Sequence, residues 1–159
     1  NEGEMPVKYW LFKSEPTAYS YDNLIRDGIA EWDGVRNFQA RNFLRDAIKV
    51  DDRVLFYHSN TNPPAVIGTA VVTGEGYPDH TAWDPHSDHP DPKSTMGNPL
   101  WYMVDIKADK SFANPVTLQE IRDNPALQDM VLLRKGMRLS IQPVTKEQFE
   151  IICDMGKRP

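Results

Sequence analysis

The residues with the clearest chemical potential lie in one stretch, WDGVRNFQARNFLR, from Trp32 to Arg45. Trp32 offers a flat face for stacking. Asn37 and Gln39 offer paired donors and acceptors, and Arg36, Arg41 and Arg45 offer charge suited to phosphate. Gly34 ends the loop that carries Trp32, and Asn37 reads as the N-cap of a helix whose first N–H groups are open to an acceptor or an anion. A flat face, amides and guanidinium groups together suit a nucleobase with its phosphate. The plainer account is that Trp32 is core, Asn37 only a cap and the arginines a solvated face, since buried Trp and capping Asn are common.

Other clusters carry less. KSEP (Lys13–Pro16) ends a strand in a cation, a hydroxyl and a carboxylate, at the kind of rim where sites are built, yet the same residues make an ordinary turn. FYHSN (Phe56–Asn60) ends another strand in groups able to read the edge of a planar ligand; His58 there is a candidate general base, which needs a substrate proton within reach. Arg134, Lys135 and Arg138 surround Gly136 and suit either a phosphate or a plain basic turn. His80, His86 and His89 alternate with Asp79, Asp84, Asp88 and Asp91, residue types that bind divalent metals. Their spacing fits no rigid helical site and the segment is rich in proline, so a solvated loop is expected rather than a metal centre. The chain has no GxSxG, P-loop, GxGxxG, HExxH or CxxC. Catalysis is therefore thinly supported, and no cofactor is expected.

Composition bounds these readings. A chain of 159 residues with 40% hydrophobic and 26% charged side chains suggests one globular domain with one substantial core. A net charge of −5 argues against coating nucleic acid by charge alone, while leaving room for a local basic patch. The single cysteine, Cys153, excludes a disulfide framework or a cysteine-based zinc site within one chain and suggests an intracellular protein. No apolar run is long enough to span a membrane, and no signal peptide is visible. NEGE reads as a tag remnant ahead of a natural start at Met5, with a single domain over 6–156.

The elements that must position these residues are legible in part. VKYWLFK (Val7–Lys13) reads as a strand ended by Pro16. Ser20 caps a short helix from Tyr21 to Asp27, with Leu24 and Ile25 inward and Gly28 closing it. Ala40, Phe43, Leu44, Ala47 and Ile48 make one apolar helical face, with Arg41 and Arg45 on a separate stripe with Phe38. Asp51–Ser59 and Ala65–Gly74 read as a hairpin around NTNPP. Glu75–Pro99, with five of the 13 prolines, reads as a long loop, followed by a strand over Leu100–Ala108. Thr117 with Glu120, and Thr145 with Gln148, form capping boxes for two further helices, the last turning Phe149, Ile152 and Cys153 inward. A strand is expected after the turn at Gly136. Strands and helices mix without regular βαβ alternation, so an α+β fold with a mostly antiparallel, curled or barrel-like sheet is expected.

Taken in order, YWLFKSEP, WDGVRNFQARNFLR, DRVLFYHSN, YPDHTAWDP, WYMVDI, PVTLQEIRDNPAL and LLRKGMRLSIQPVT resemble the EVE domain family, from about Lys8 to Ile152. The resemblance implies a PUA-like fold, a mostly antiparallel curled sheet or pseudo-barrel flanked by helices, similar to YTH and other PUA-superfamily readers of modified nucleic acid. It implies a non-catalytic pocket for a flipped, modified base, with modified cytosine in DNA favoured over RNA as the partner. Lys13, Ser14 and Glu15 would sit at the pocket rim, and Trp32 would line it or stack. Val35, Asn37 and Ala40 would border the base, with Asn37 on its polar edge. Ser59 and Asn60 would face the same cavity, and Arg36, Arg41, Arg134 and Arg138 would meet the backbone. The protein would be cytoplasmic in a bacterium or nuclear in a eukaryote. Two alternatives stay open: an enzyme acting on a nucleotide or small heterocycle with His58 or Glu15 as base, and an interaction protein whose acidic loop, Asp79–Asp91, docks a basic partner.

Overall fold

The computed structural model describes residues 6–158; the expected tag remnant and start at Met5 lie outside them. The strands are β1 (Tyr9–Ser14), β2 (Ile29–Glu31), β3 (Arg53–His58), β4 (Ala65–Pro78), β5 (Tyr102–Thr117) and β6 (Ile141–Val144). The helices are α1 (Tyr21–Asp27), α2 (Phe38–Asn42), α3 (Leu118–Asp123) and α4 (Lys146–Lys157), and a π-helical turn, Phe43–Ala47, extends α2.

All six strands form one sheet in the order β2-β5-β4-β3-β1-β6. The expected curled PUA-like pseudo-barrel does not form, although the sheet is mostly antiparallel as expected. The sheet is open, with β2 and β6 as its edges, and it is mixed: β1 runs parallel to β3, Tyr9 opposite Arg53 and Ser14 opposite His58. The physical reason lies in its two faces. Trp10, Phe12, Val54 and Phe56 point into one core, with Leu44 and Ile48; Leu11, Leu55 and Tyr57 point into another, with Ile121 and Ile152. A barrel encloses one core, whereas this sheet carries a covered core on each side. Parallel pairing needs a long crossover, and the connection holding α1, β2 and α2 supplies it. The signal was present in YWLF and VLFY, near-continuous apolar runs of the kind found in strands buried on both faces.

Local chemistry sets the helices. The Ser20 hydroxyl accepts from the Asn23 N–H while the Asn23 side chain accepts from the Ser20 N–H, and Gly28, at φ 78°, closes α1. Leu24 is buried, but Ile25 is exposed, contrary to its expected inward position: Tyr21 and Leu24, three apart, take the buried face. The boxes at Thr117 and Thr145 both form. The expected apolar helix splits into α2 and the π-helical turn, with Ala40, Leu44 and Ile48 still buried. β4 passes so close that a Cβ at Gly76 would collide with the Leu44 carbonyl. Strand β4 runs on to Pro78, opposite Tyr102, so the long loop begins only at Asp79. The short edge strand β2 was not legible in the sequence. No described helix is long and apolar enough to cross a membrane.

Candidate functional site

The segment Trp32–Asn37 emerges from β2 at the sheet edge, and the Trp32 N–H donates to the Val104 carbonyl of β5 (2.8 Å). The indole is held among three rings: Phe12 at 5.4 Å, Phe56 at 5.5 Å and nearly perpendicular, and Tyr19 at 6.1 Å and 81°. Edge-to-face packing of this kind fixes a ring more firmly than area burial alone. Trp32 is thus core on one side. On the other it borders an open cavity of about 760 Å³, together with Tyr19. That volume lies within the range of ordinary ligand sites.

Of the residues expected at a site, Lys13, Ser14, Glu15, Trp32, Val35 and Arg36 line this cavity. The others stand elsewhere. Asn37 is exposed and its side chain accepts from the Ala40 N–H (3.0 Å), while Ala40 is fully buried in the core. Asn60 reaches the rim only through Glu15, donating from Nδ2 to Oε1 (3.3 Å), and the Ser59 N–H donates to the Ser14 carbonyl (3.0 Å). Arg134 and Arg138 are exposed near Ser140, whose carbonyl accepts from the Lys13 N–H (2.8 Å) and which does line the cavity. Arg41 donates to the Leu100 carbonyl (2.6 Å).

Arg36 is committed within the fold. Nη1 donates to Asp79 Oδ2 (3.0 Å) and Nη2 to the His89 carbonyl (2.7 Å), while buried Nε meets no acceptor. Asp79 is fully buried. Burial pushes its carboxyl up, but hydrogen bonds from Thr81, the Gly34 N–H (2.8 Å) and Arg36 outweigh this and hold it below the usual range. The His/Asp segment is therefore not a merely solvated loop: Asp79 anchors it from inside, and His89 packs on Gly34. Asp91 is likewise engaged, accepting from the Trp101 indole (2.6 Å). Among the described residues, no group of three His, Cys, Asp or Glu is placed to hold a metal ion.

The cavity wall is acidic, with Glu15, Asp27, Glu31, Asp33 and Asp88 against Lys13, Arg36 and His89. Asp27 already accepts from Tyr19 (2.8 Å) and Arg26 (2.9 Å), and Glu31 from Tyr77 (3.1 Å). Asp33 is different: its nearest charged partner is His89, at 3.7 Å. Burial pushes the Asp33 carboxyl up, His89 opposes that shift, and Asp79 and Glu31 add to it. Burial alone lowers the Lys13 ammonium. An acidic wall repels phosphate and favours a ligand that donates hydrogen bonds. Tyr19 and Asp33 were missed in the sequence, and His89 was read only as part of the His/Asp segment; Asp33 adjoins Trp32 and could have been found there, whereas nothing local marks Tyr19 or places His89 at the cavity.

Of the two candidate general bases, Glu15 is exposed at the cavity rim, where it accepts from Asn60, and His58 is occupied within the fold. His58 Nε2 accepts from the Tyr21 N–H (3.1 Å), and burial lowers its pKa, opposed by Asp22. The Ser14 hydroxyl beside Glu15 donates to the Tyr19 carbonyl.

The EVE domain profile matches residues 8–155. The chain belongs to the EVE domain family. This EVE domain is 37% identical over 169 residues to human thymocyte nuclear protein 1, covering 94% of this chain and 74% of that one. A protein structure from Leishmania major superposes with a TM-score of 0.91 at 43% identity, covering 96% of each chain. The human THYN1 protein, solved in complex with 5-methylcytosine containing DNA, superposes on this EVE domain with a TM-score of 0.88 at 36% identity, covering 96% of this chain and 99% of that one.

Proposed function

We propose that this EVE domain is a non-catalytic reader of nucleic acid that receives a flipped, modified base in the Trp32 cavity, with modified cytosine in DNA favoured over RNA. The observation that carries the reading is the corner formed by Trp32, Tyr19 and Asp33. A base taken out of the stack loses a few kcal/mol of stacking and pairing. An aromatic wall returns roughly 1–3 kcal/mol of it. Cytosine presents an N4 amino donor, which carboxylates accept, and Asp33, next to Trp32 on the wall, has only His89, at 3.7 Å, as a charged partner among the described residues. Val35 supplies an apolar patch for a 5-methyl group, worth roughly 1–3 kcal/mol of discrimination. Lys13, Ser14 and Glu15 form the facing rim. The likeness to the human protein bound to 5-methylcytosine containing DNA supports the same ligand class. Arg41, Arg134 and Arg138 remain the cations available to the backbone. Arg36, tied to Asp79, serves the architecture instead.

The test is a titration at fixed salt of duplexes that differ in one base: cytosine, 5-methylcytosine, 5-hydroxymethylcytosine or N6-methyladenine. The wild type is expected to prefer a modified cytosine. Asp33→Ala is expected to weaken that binding roughly 10- to 100-fold, the worth of a charged hydrogen bond. Equal binding to all four duplexes would sink the reading.

A further inference from the structure

A base read outside the duplex leaves a gap between its former neighbours, and proteins that unstack DNA commonly fill such gaps with an apolar wedge. Among the described residues, Phe38 is the one aromatic among the large exposed apolar side chains, at 55% exposure. The ring is exposed yet firmly set. It stacks on Trp101 at 4.7 Å and 24°, and the Arg41 guanidinium lies 4.9 Å from its centroid. Trp101 is held by Asp91 through its indole N–H and carries Arg36 at 5.5 Å on its ring. A ring fixed in this way loses little freedom on insertion, so its contact energy is not spent on ordering.

Its place and surroundings fit the same use. Val35 and Arg36 line the cavity, and the chain from Val35 to Phe38 can span at most about 11 Å. The duplex that a flipped base has left must lie close to the cavity mouth. Val35–Val50 carries four cations, Arg36, Arg41, Arg45 and Lys49, against one carboxylate, Asp46, in a chain of net charge −5. Arg36, Arg45 and Lys49 are paired with Asp79, Asp46 and Glu75, which leaves Arg41, over the Phe38 ring, as the cation of this stretch with no carboxylate partner among the described residues; a positive charge beside the ring suits a polyanion.

We propose that Phe38 is a stacking wedge that enters the duplex at the place vacated by the flipped base. This inference rests on the reader assignment and extends it to a contact outside the cavity. A wedge acts only where there is a gap, so its loss should be felt in duplex and not in single strand. A cavity residue is felt in both.

The experiment measures affinity for a duplex containing 5-methylcytosine and for the modified strand alone, at one salt concentration. Wild type, Phe38→Ala, Phe38→Gln and Asp33→Ala are compared, each checked by thermal unfolding. Phe38→Gln is the second variant because Gln is a good helix former and keeps α2 intact. Both Phe38 variants are expected to lose roughly 5- to 100-fold in duplex affinity, the worth of one stacking contact, with single-strand affinity within about twofold of wild type. Asp33→Ala is expected to lose affinity for both. Unchanged duplex binding by the Phe38 variants, or an equal loss on both substrates, overturns the wedge and leaves the reader standing. No preference of the wild type for modified over unmodified DNA overturns the reader, and the wedge with it.

Discussion

Asp79 Oδ2 lies 3.0 Å from Arg36 Nη1, a fully buried carboxylate joined to a guanidinium that is itself largely covered. The pair fastens the loop after β4 onto the segment that carries Trp32, because the same oxygen also accepts from the Gly34 N–H at 2.8 Å. One carboxylate thus fixes two walls of the cavity relative to each other.

Asp79→Asn should cost about 3 kcal/mol or more, since removing one partner leaves the other charge buried without its counter-charge. Urea unfolding at neutral pH measures this. The folded Asp79 pKa is held below its unfolded value, so its contribution is complete above the unfolded carboxyl pKa of about 3.9 and is lost as pH falls through the lower folded value. Wild-type stability should therefore drop in acid, and Asp79→Asn should flatten that drop.

Gly34 has φ +77°, and a Cβ there would stand 2.8 Å from the His89 ring. Gly34→Ala should destabilise by about 1–3 kcal/mol through both strain and contact. Adding His89→Ala should recover only the part due to contact. Thermal unfolding of the single and double variants separates the two, and full recovery would show that the backbone conformation costs nothing.

Asp33 shifts the other way from Asp79. Its folded pKa is raised, first by burial. A carboxylate that accepts from a cytosine amino group does so in its charged form, so affinity for modified DNA should fall on acidification at a higher pH than an ordinary carboxyl would give. Stability linked to Asp33 has the opposite sign: the group favours the folded state when protonated, and that gain is lost as pH rises through the folded value. Binding measured across a pH series should show the loss in wild type and not in Asp33→Ala.

Cys153 is half-buried, and burial pushes its thiol up to about 11. The thiolate is the reactive form, so at pH 8 alkylation should run roughly 100-fold slower than for a free thiol. Iodoacetamide labelling followed by mass spectrometry checks this.

Trp32→Ala is a poor probe of binding, because it removes a ring packed on Phe12, Tyr19 and Phe56. It should cost about 3–5 kcal/mol of stability. Trp32→Phe keeps an aromatic ring there and is the better variant. It should retain the fold on thermal unfolding while weakening binding.

Features that depend on groups within one turn of each other were legible in the chain. Ser20, Thr117 and Thr145 cap helices because a short side chain reaches an N–H three residues on. The β3–β4 hairpin follows from strand residues on both sides of NTNPP. The stretch from Trp32 was recognisable by residue type, as were Lys13–Glu15. Tertiary structure decided what depends on distant partners. β1 pairs in parallel with β3 because apolar residues on both faces of those strands are covered by separate groups of helices. Asn37 and Ala40, close in sequence to Trp32, turn to capping and core, while Tyr19, Asp33 and His89 converge on the cavity. Arg36 reads as a phosphate ligand until Asp79, far along the chain, claims it. Where each of these side chains ends up is set by the faces that pack together, which residue types and spacing alone do not specify.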